Sequence, residues 1–101
     1  MSGDVIADVV EALATVIDPE LGYNIVDLGL VYDVAVDGGT ARIRMTTTRP
    51  GCPATNALKR GAEEAAGSVP GIAAVAVDMT WLPPWSPELM SDRAKAALGF
   101  A

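Results

Sequence analysis

The sequence predicts an α+β domain of two layers. Its expected order is helix, strand, strand, helix, strand, giving a three-stranded mixed sheet with a short C-terminal helix. Three observations predict this. Apolar residues recur at helical spacing in residues 4–17 and again in 57–65. Residues 30–47 alternate between apolar and polar on either side of Asp37-Gly38-Gly39, a hairpin turn signal. A third alternating stretch, 72–81, follows the second helix, so the second strand, helix and third strand form a crossover unit with parallel strands. Two helices on one face of such a sheet make the two layers. The sequence leaves open which strand is central.

The first helix is expected over Asp4–Ile17. Val5, Ile6, Val9, Val10, Leu13, Val16 and Ile17 form its apolar stripe, with Asp4, Asp8 and Glu11 off it. Pro19 holds Asp18 in an extended conformation, so the helix ends near Asp18. Residues 18–29 sustain no period and read as a mostly irregular segment that packs Leu21, Ile25, Val26 and Leu28 inward. Long segments of this kind are often functional. Asp18, Glu20 and Asp27 could assist a metal, but spacing alone favours Asp18 capping a turn and Asp27 bonding nearby backbone.

In the hairpin, Leu30, Tyr32, Val34 and Val36 share one face, as do Ala41, Ile43, Met45 and Thr47. Arg42 and Arg44 then read as solvated strand charges on the opposite face. The second helix is expected from about Pro53 to Ala66, with Gly67 as its C-cap. The third strand, Ile72–Trp81, places Val75, Val77, Met79 and Trp81 on one face. Three prolines stop any sheet in residues 82–90, and Ser91 caps a short helix over Asp92–Leu98 that Gly99 closes.

The chain has 101 residues, half of them hydrophobic, which suits one domain over residues 1–101 with a single packed core. Its formal charge of −6 disfavours nucleic acid and anionic membrane surfaces. No apolar run approaches the ~20 residues that cross a bilayer. The first residues lack the basic segment of a signal peptide, and a lone cysteine cannot form an internal disulfide. These features lead us to expect a cytoplasmic location.

That cysteine, Cys52, lies in Thr46-Thr47-Thr48-Arg49-Pro50-Gly51-Cys52-Pro53, where strand alternation gives way to helical spacing. A thiol at a helix start lies near free backbone N–H groups that favour an anion, and the thiolate is the form that binds metals. The plainer reading is a small buried hydrophobe. The chain has no His, which excludes a Cys–His pair within one subunit.

Asp18-Pro19-Glu20, Asn24-Ile25-Val26-Asp27-Leu28-Gly29, the Thr-rich run ending in Gly51-Cys52-Pro53, and Trp81-Leu82-Pro83-Pro84-Trp85 occur in this order. Together they resemble the small iron–sulfur cluster assembly family, the metal–sulfur cluster biosynthetic proteins, across nearly the whole chain. The resemblance is closer to SufT-like members than to PaaD-like ones, which carry a further cysteine-bearing segment. It also extends to the eukaryotic CIA-type factors. It implies the fold already reached from periodicity and a non-enzymatic role in maturing or carrying iron–sulfur clusters.

By that resemblance Cys52 is the reactive cysteine and a transient ligand of a cluster or of iron. Thr48 and Gly51 beside it are expected to help bind that cofactor, and Asp27 is a second metal residue. Asp18, Pro19 and Glu20 match a structural motif. The implied partners are the assembly machinery and client apoproteins. A cluster is usually held by four thiolates or a mix with imidazole, so one subunit with one cysteine cannot hold it stably. Either two subunits share a site, or Cys52 meets the cluster only during handover. A thiol-dependent enzyme and a plain interaction module are the competing readings. Trp81, Trp85 and Met90 surround a proline-stiffened turn on the rim expected to carry Cys52. They are either a lid over the core or the contact for a homodimer or client.

Overall fold

A computed structural model describes residues 4–100. The expected reading of the first three residues as lacking a signal therefore lies outside the described residues. Helix α1 (Val5–Leu13) is capped by the Asp4 carboxylate, which accepts the Ala7 N–H at 3.2 Å. It ends four residues earlier than its apolar stripe suggests. Thr15-Val16-Ile17 is a β-branched run, stiff in a helix, and the Thr15 hydroxyl bonds back to the Ala12 carbonyl at 2.6 Å. Ile17 consequently leaves the stripe and is 52% exposed.

The segment expected to be irregular holds a small ladder. β1 (Ile17–Asp18) pairs antiparallel with β2 (Tyr23–Asn24), and Ile25 and Leu28 beyond it enter the core. β3 (Val31–Asp37) and β4 (Thr40–Met45) form the hairpin. A bulge between Val31 and Asp33 takes Tyr32 out of the pairing. Val31, not Tyr32, therefore joins Val34 and Val36 against the core. Tyr32 instead donates its hydroxyl proton to the Pro83 carbonyl at 2.8 Å.

Helix α2 (Thr55–Gly67) starts two residues later than expected. A separate turn precedes it, in which the Cys52 carbonyl accepts both the N–H and the hydroxyl of Thr55. Pro53 lies before the cap, and Cys52 stands outside the first helical turn. Gly67 is the last helical residue, not the cap. A Cβ there would sit 3.7 Å from Val75, so the helix end lies close to the sheet. β5 (Ala74–Met79) runs parallel to β4 and is shorter than its alternating stretch.

The sheet order is β3-β4-β5, so β4 is central. Ala41, Ile43 and Met45 of β4 are buried under α1 and α2, while Arg42 and Arg44 lie on the open face. Helix α3 (Asp92–Leu98) forms as predicted. The Ser91 hydroxyl caps Ala94 N–H, and Gly99 closes it at φ 84°. No helix among the described residues is long and apolar enough to cross a membrane.

Candidate functional site

The parallel pairing of β4 and β5 brings the two chain stretches that leave them to one rim. Thr46–Cys52 leaves β4, and Thr80–Trp85 leaves β5. The Trp81 indole N–H donates to Thr47 Oγ1 at 2.9 Å, and Thr47 in turn donates to the Arg49 carbonyl at 2.6 Å. Trp81 therefore fixes the loop that presents Cys52. Gly51 makes the sharp turn before it, at φ 76°, where a side chain would be strained.

Glu20 reaches this loop from the turn between β1 and β2. Its Oε1 accepts the Thr48 hydroxyl at 3.2 Å and the Cys52 thiol at 3.6 Å. Its Oε2 pairs with the Arg49 guanidinium at 3.2 Å. One carboxylate thus gathers three side chains of residues 48–52. Cys52 as a residue is 5% exposed. Gly51 beside it has open space on the side where a Cβ would stand.

Asp27, the other acid singled out from sequence, is engaged elsewhere. Asn24 donates to its carboxylate at 2.8 Å and accepts its backbone N–H at 2.9 Å. Arg93 of α3 binds the same carboxylate oxygen at 2.8 Å. The Asn24 hydrogen bond, aided by Arg93, holds the Asp27 carboxyl below its ordinary range. Ser91 N–H bonds the Asp27 carbonyl, and the Trp85 indole N–H bonds the Leu28 carbonyl at 2.7 Å. The Asn24–Gly29 motif is thus the dock for the C-terminal segment. Met90 is buried in the core, and Trp85 packs against it. Of that segment, Leu82 is the large residue turned furthest to solvent, at 78% exposure, with Leu89 at 45%.

The donor set at Cys52 is therefore one thiol and one carboxylate. No group of three or more Cys, His, Asp or Glu residues close enough to enclose a metal occurs among the described residues. Two donors with open positions fit a ligand in transit better than a resident one.

The family model described as iron–sulfur cluster assembly protein matches residues 6–79, which span both the Glu20 turn and the Cys52 loop. The chain belongs to this family. The Fe-S protein maturation auxiliary factor YitW of Bacillus subtilis is 43% identical to it over 91% of this chain and 91% of its own length. The Fe-S protein maturation auxiliary factor SufT of Staphylococcus aureus is 45% identical over 83% of this chain and 97% of its own. The crystal structure of a domain of unknown function, DUF59, from Bacillus anthracis superposes with a TM-score of 0.90 at 42% identity, covering 96% of this chain and 93% of that one.

Within this iron–sulfur assembly fold, Asp18 is the acid that burial affects most. It is 1% exposed, and desolvation raises its carboxyl above the ordinary 3.8, opposed by the Leu21 N–H it accepts at 3.1 Å. A carboxyl raised in the folded state stabilises the fold below its unfolded value and loses that contribution as pH rises through the folded value. Asp18→Asn keeps an oxygen for Leu21 and removes the buried charge. The variant's melting temperature, measured relative to the unsubstituted protein, should rise between pH 3.5 and pH 7. A difference independent of pH in calorimetry would show that Asp18 carries no burial cost.

Sequence reasoning placed Glu20 in a structural motif and did not connect it with the thiol. The pair is separated by 32 positions and meets only through the β1–β2 turn. The available signal was the acid in Asp-Pro-Glu that has no local partner.

Proposed function

We propose that this protein is a maturation factor for iron–sulfur proteins, in which Cys52 transiently holds an iron–sulfur cluster, or iron, and passes it to client apoproteins. The observation that carries this reading is the Cys52–Glu20 pair, a single thiol held by a carboxylate on the rim of the sheet. The maturation factors of B. subtilis and S. aureus named above support it, since they match nearly the whole of their own length. The cargo is a substrate here: its remaining ligands come from the donor, the client or an external thiol.

Glu20 has a definite part in this reading. It accepts the thiol's hydrogen bond and keeps Cys52 aimed at the rim while no cargo is present. A metal arriving at the sulfur displaces the thiol proton, for which the adjacent carboxylate is the acceptor at hand. With Cys52 nearly covered, cargo meets the sulfur when the Glu20 contacts of residues 48–52 open. Asp27 is built into the Asn24–Arg93 clasp and supports the fold of the rim.

The test is complementation of cells lacking the protein, read as the iron and cluster content of purified client proteins. Cys52→Ser should lose the maturation function while its melting temperature falls by less than about 8 °C, the shift that ~1 kcal/mol gives in a domain this size. Glu20→Gln, which keeps the acceptor and loses the charge, should retain part of the function. Full restoration of client clusters by Cys52→Ser would overturn the proposal.

A further inference from the structure

The two edges of the sheet are unlike. The β3 edge carries the bulge at Tyr32 and the charges Asp33 and Asp37, devices that discourage further strand pairing. The β5 edge, Ala74-Val75-Ala76-Val77-Asp78-Met79, has no proline, no lysine and no bulge. Ala74 N–H bonds the Gly39 carbonyl and Thr80 N–H bonds the Met45 carbonyl, so the even-numbered residues of β5 turn toward β4. The N–H and carbonyl groups of Val75, Val77 and Met79 therefore point outward. Among the described residues no backbone or side-chain group bonds them.

We propose that β5 pairs with β5 of a second copy of this chain, antiparallel about a two-fold axis at Val77. Two three-stranded sheets then join into one of six strands.

The register supports a second copy as the occupant. Centring on Val77 sets Val75 opposite Met79 of the partner subunit, and Val77 opposite Val77 of the partner subunit. Each outward N–H then meets an outward carbonyl. The apolar side chains of the inner face continue across the axis, since Val75, Val77 and Met79 all belong to the core side. On the outer face Asp78 falls opposite the partner's Ala76, so no like charges meet directly. An isologous contact of this kind closes at two copies and leaves the β3 edges outermost. The antiparallel arrangement puts the two Cys52 rims at opposite ends of the joined sheet. Pairing thus does not build a shared cluster site, and it stands apart from the maturation reading. Each copy carries a formal charge of −6, so added salt should favour the pair.

The test is the molar mass by analytical ultracentrifugation up to roughly 1 mM protein, with amide hydrogen exchange at low and high concentration. The mass should rise from 10.4 kDa toward twice that value, and the amides of Val75, Val77 and Met79 should gain protection as it does. Ala76→Asp should hold the mass at 10.4 kDa. It puts an acid opposite the partner's Asp78 at two symmetric places, while within its own sheet position 76 lies beside Arg42. That neighbour keeps the variant folded, which circular dichroism would confirm. Ala76→Asp/Asp78→Arg should restore the pair. A protein that stays at 10.4 kDa throughout, a dimer that Ala76→Asp leaves intact, or edge amides protected only by an added extended peptide would each overturn the proposal.

Discussion

Gly29→Ala should undock residues 85–93 of this protein and lower its melting temperature by roughly 15 °C or more. Gly29 sits at φ 78°, where a side chain is strained by about 1–2 kcal/mol. That is the smaller part. A Cβ at this position would run into the Leu89 carbonyl oxygen and stand 2.8 Å from the Leu89 carbonyl carbon and Cβ. These are mostly backbone atoms, held by the Ser86 and Pro87 carbonyls that accept the N–H groups of Leu89 and Met90. They cannot swing aside as a long side chain could, and overpacking of this kind costs a further ~1–3 kcal/mol. The relief available is undocking of residues 85–93, which would release Met90 from the core and Arg93 from Asp27. Gly51→Ala is the control. It has the same backbone strain, at φ 76°, with nothing within 4 Å of the added atom. It should lose only the conformational part. Equal melting temperatures for the two variants would mean that Leu89 does not press on Gly29.

This contact explains what was readable in the sequence and what was not. Features set by neighbours in the chain were legible. Ser91 and Gly99 mark the ends of α3 because a hydroxyl cap and a left-handed closing residue act within a few positions. The hairpin turn at Gly38-Gly39 is of the same kind, with φ 58° and 84°. Helix lengths were less legible. The apolar period of α1 continues through Val16 and Ile17, but β-branching and the Thr15 hydroxyl end the helix before them. Nothing in the alternation of residues 30–36 reveals the bulge at Tyr32, whose hydroxyl meets the Pro83 carbonyl 51 positions away. The central place of β4 was open because a hairpin and a crossover constrain neighbours without ordering all three strands.

The site divides along the same line. Cys52 could be placed on a loop between strand and helix, since composition changes there. The resemblance made Asp27, 25 positions from Cys52, its acid partner and left Glu20, 32 positions away, in a structural motif, and only the tertiary path decides between them. The β1–β2 ladder turns Glu20 toward residues 48–52, whereas Asn24 and Arg93 capture Asp27. The sequence also suggested a contact surface at Trp85 and Met90. The structure spends Met90 on the core and ties Trp85 to Leu28, so the large apolar residues left facing solvent on that segment are Leu82 and, less so, Leu89.

Trp85→Ala should therefore act on the fold before it acts on any association. The ring packs against the core, and Trp-to-Ala changes in cores cost about 3–5 kcal/mol. Trp85 is only partly buried, which places it at the lower end of that range. The lost indole N–H adds to it. Leu28 is fully buried, and its carbonyl accepts that N–H at 2.7 Å, so truncation leaves an acceptor unpaired at a cost of about 1–3 kcal/mol. Together these losses approach the lower part of the 5–15 kcal/mol that a domain usually has. Trp85→Phe separates the two contributions, keeping an aromatic ring over the core and removing only the donor. Urea unfolding should then order the proteins with the unsubstituted chain most stable, Trp85→Phe between, and Trp85→Ala least stable. Loss of less than ~1 kcal/mol in Trp85→Ala would mean that the ring lies on the core without holding it, and Trp85 would again be free to serve as a contact for another protein.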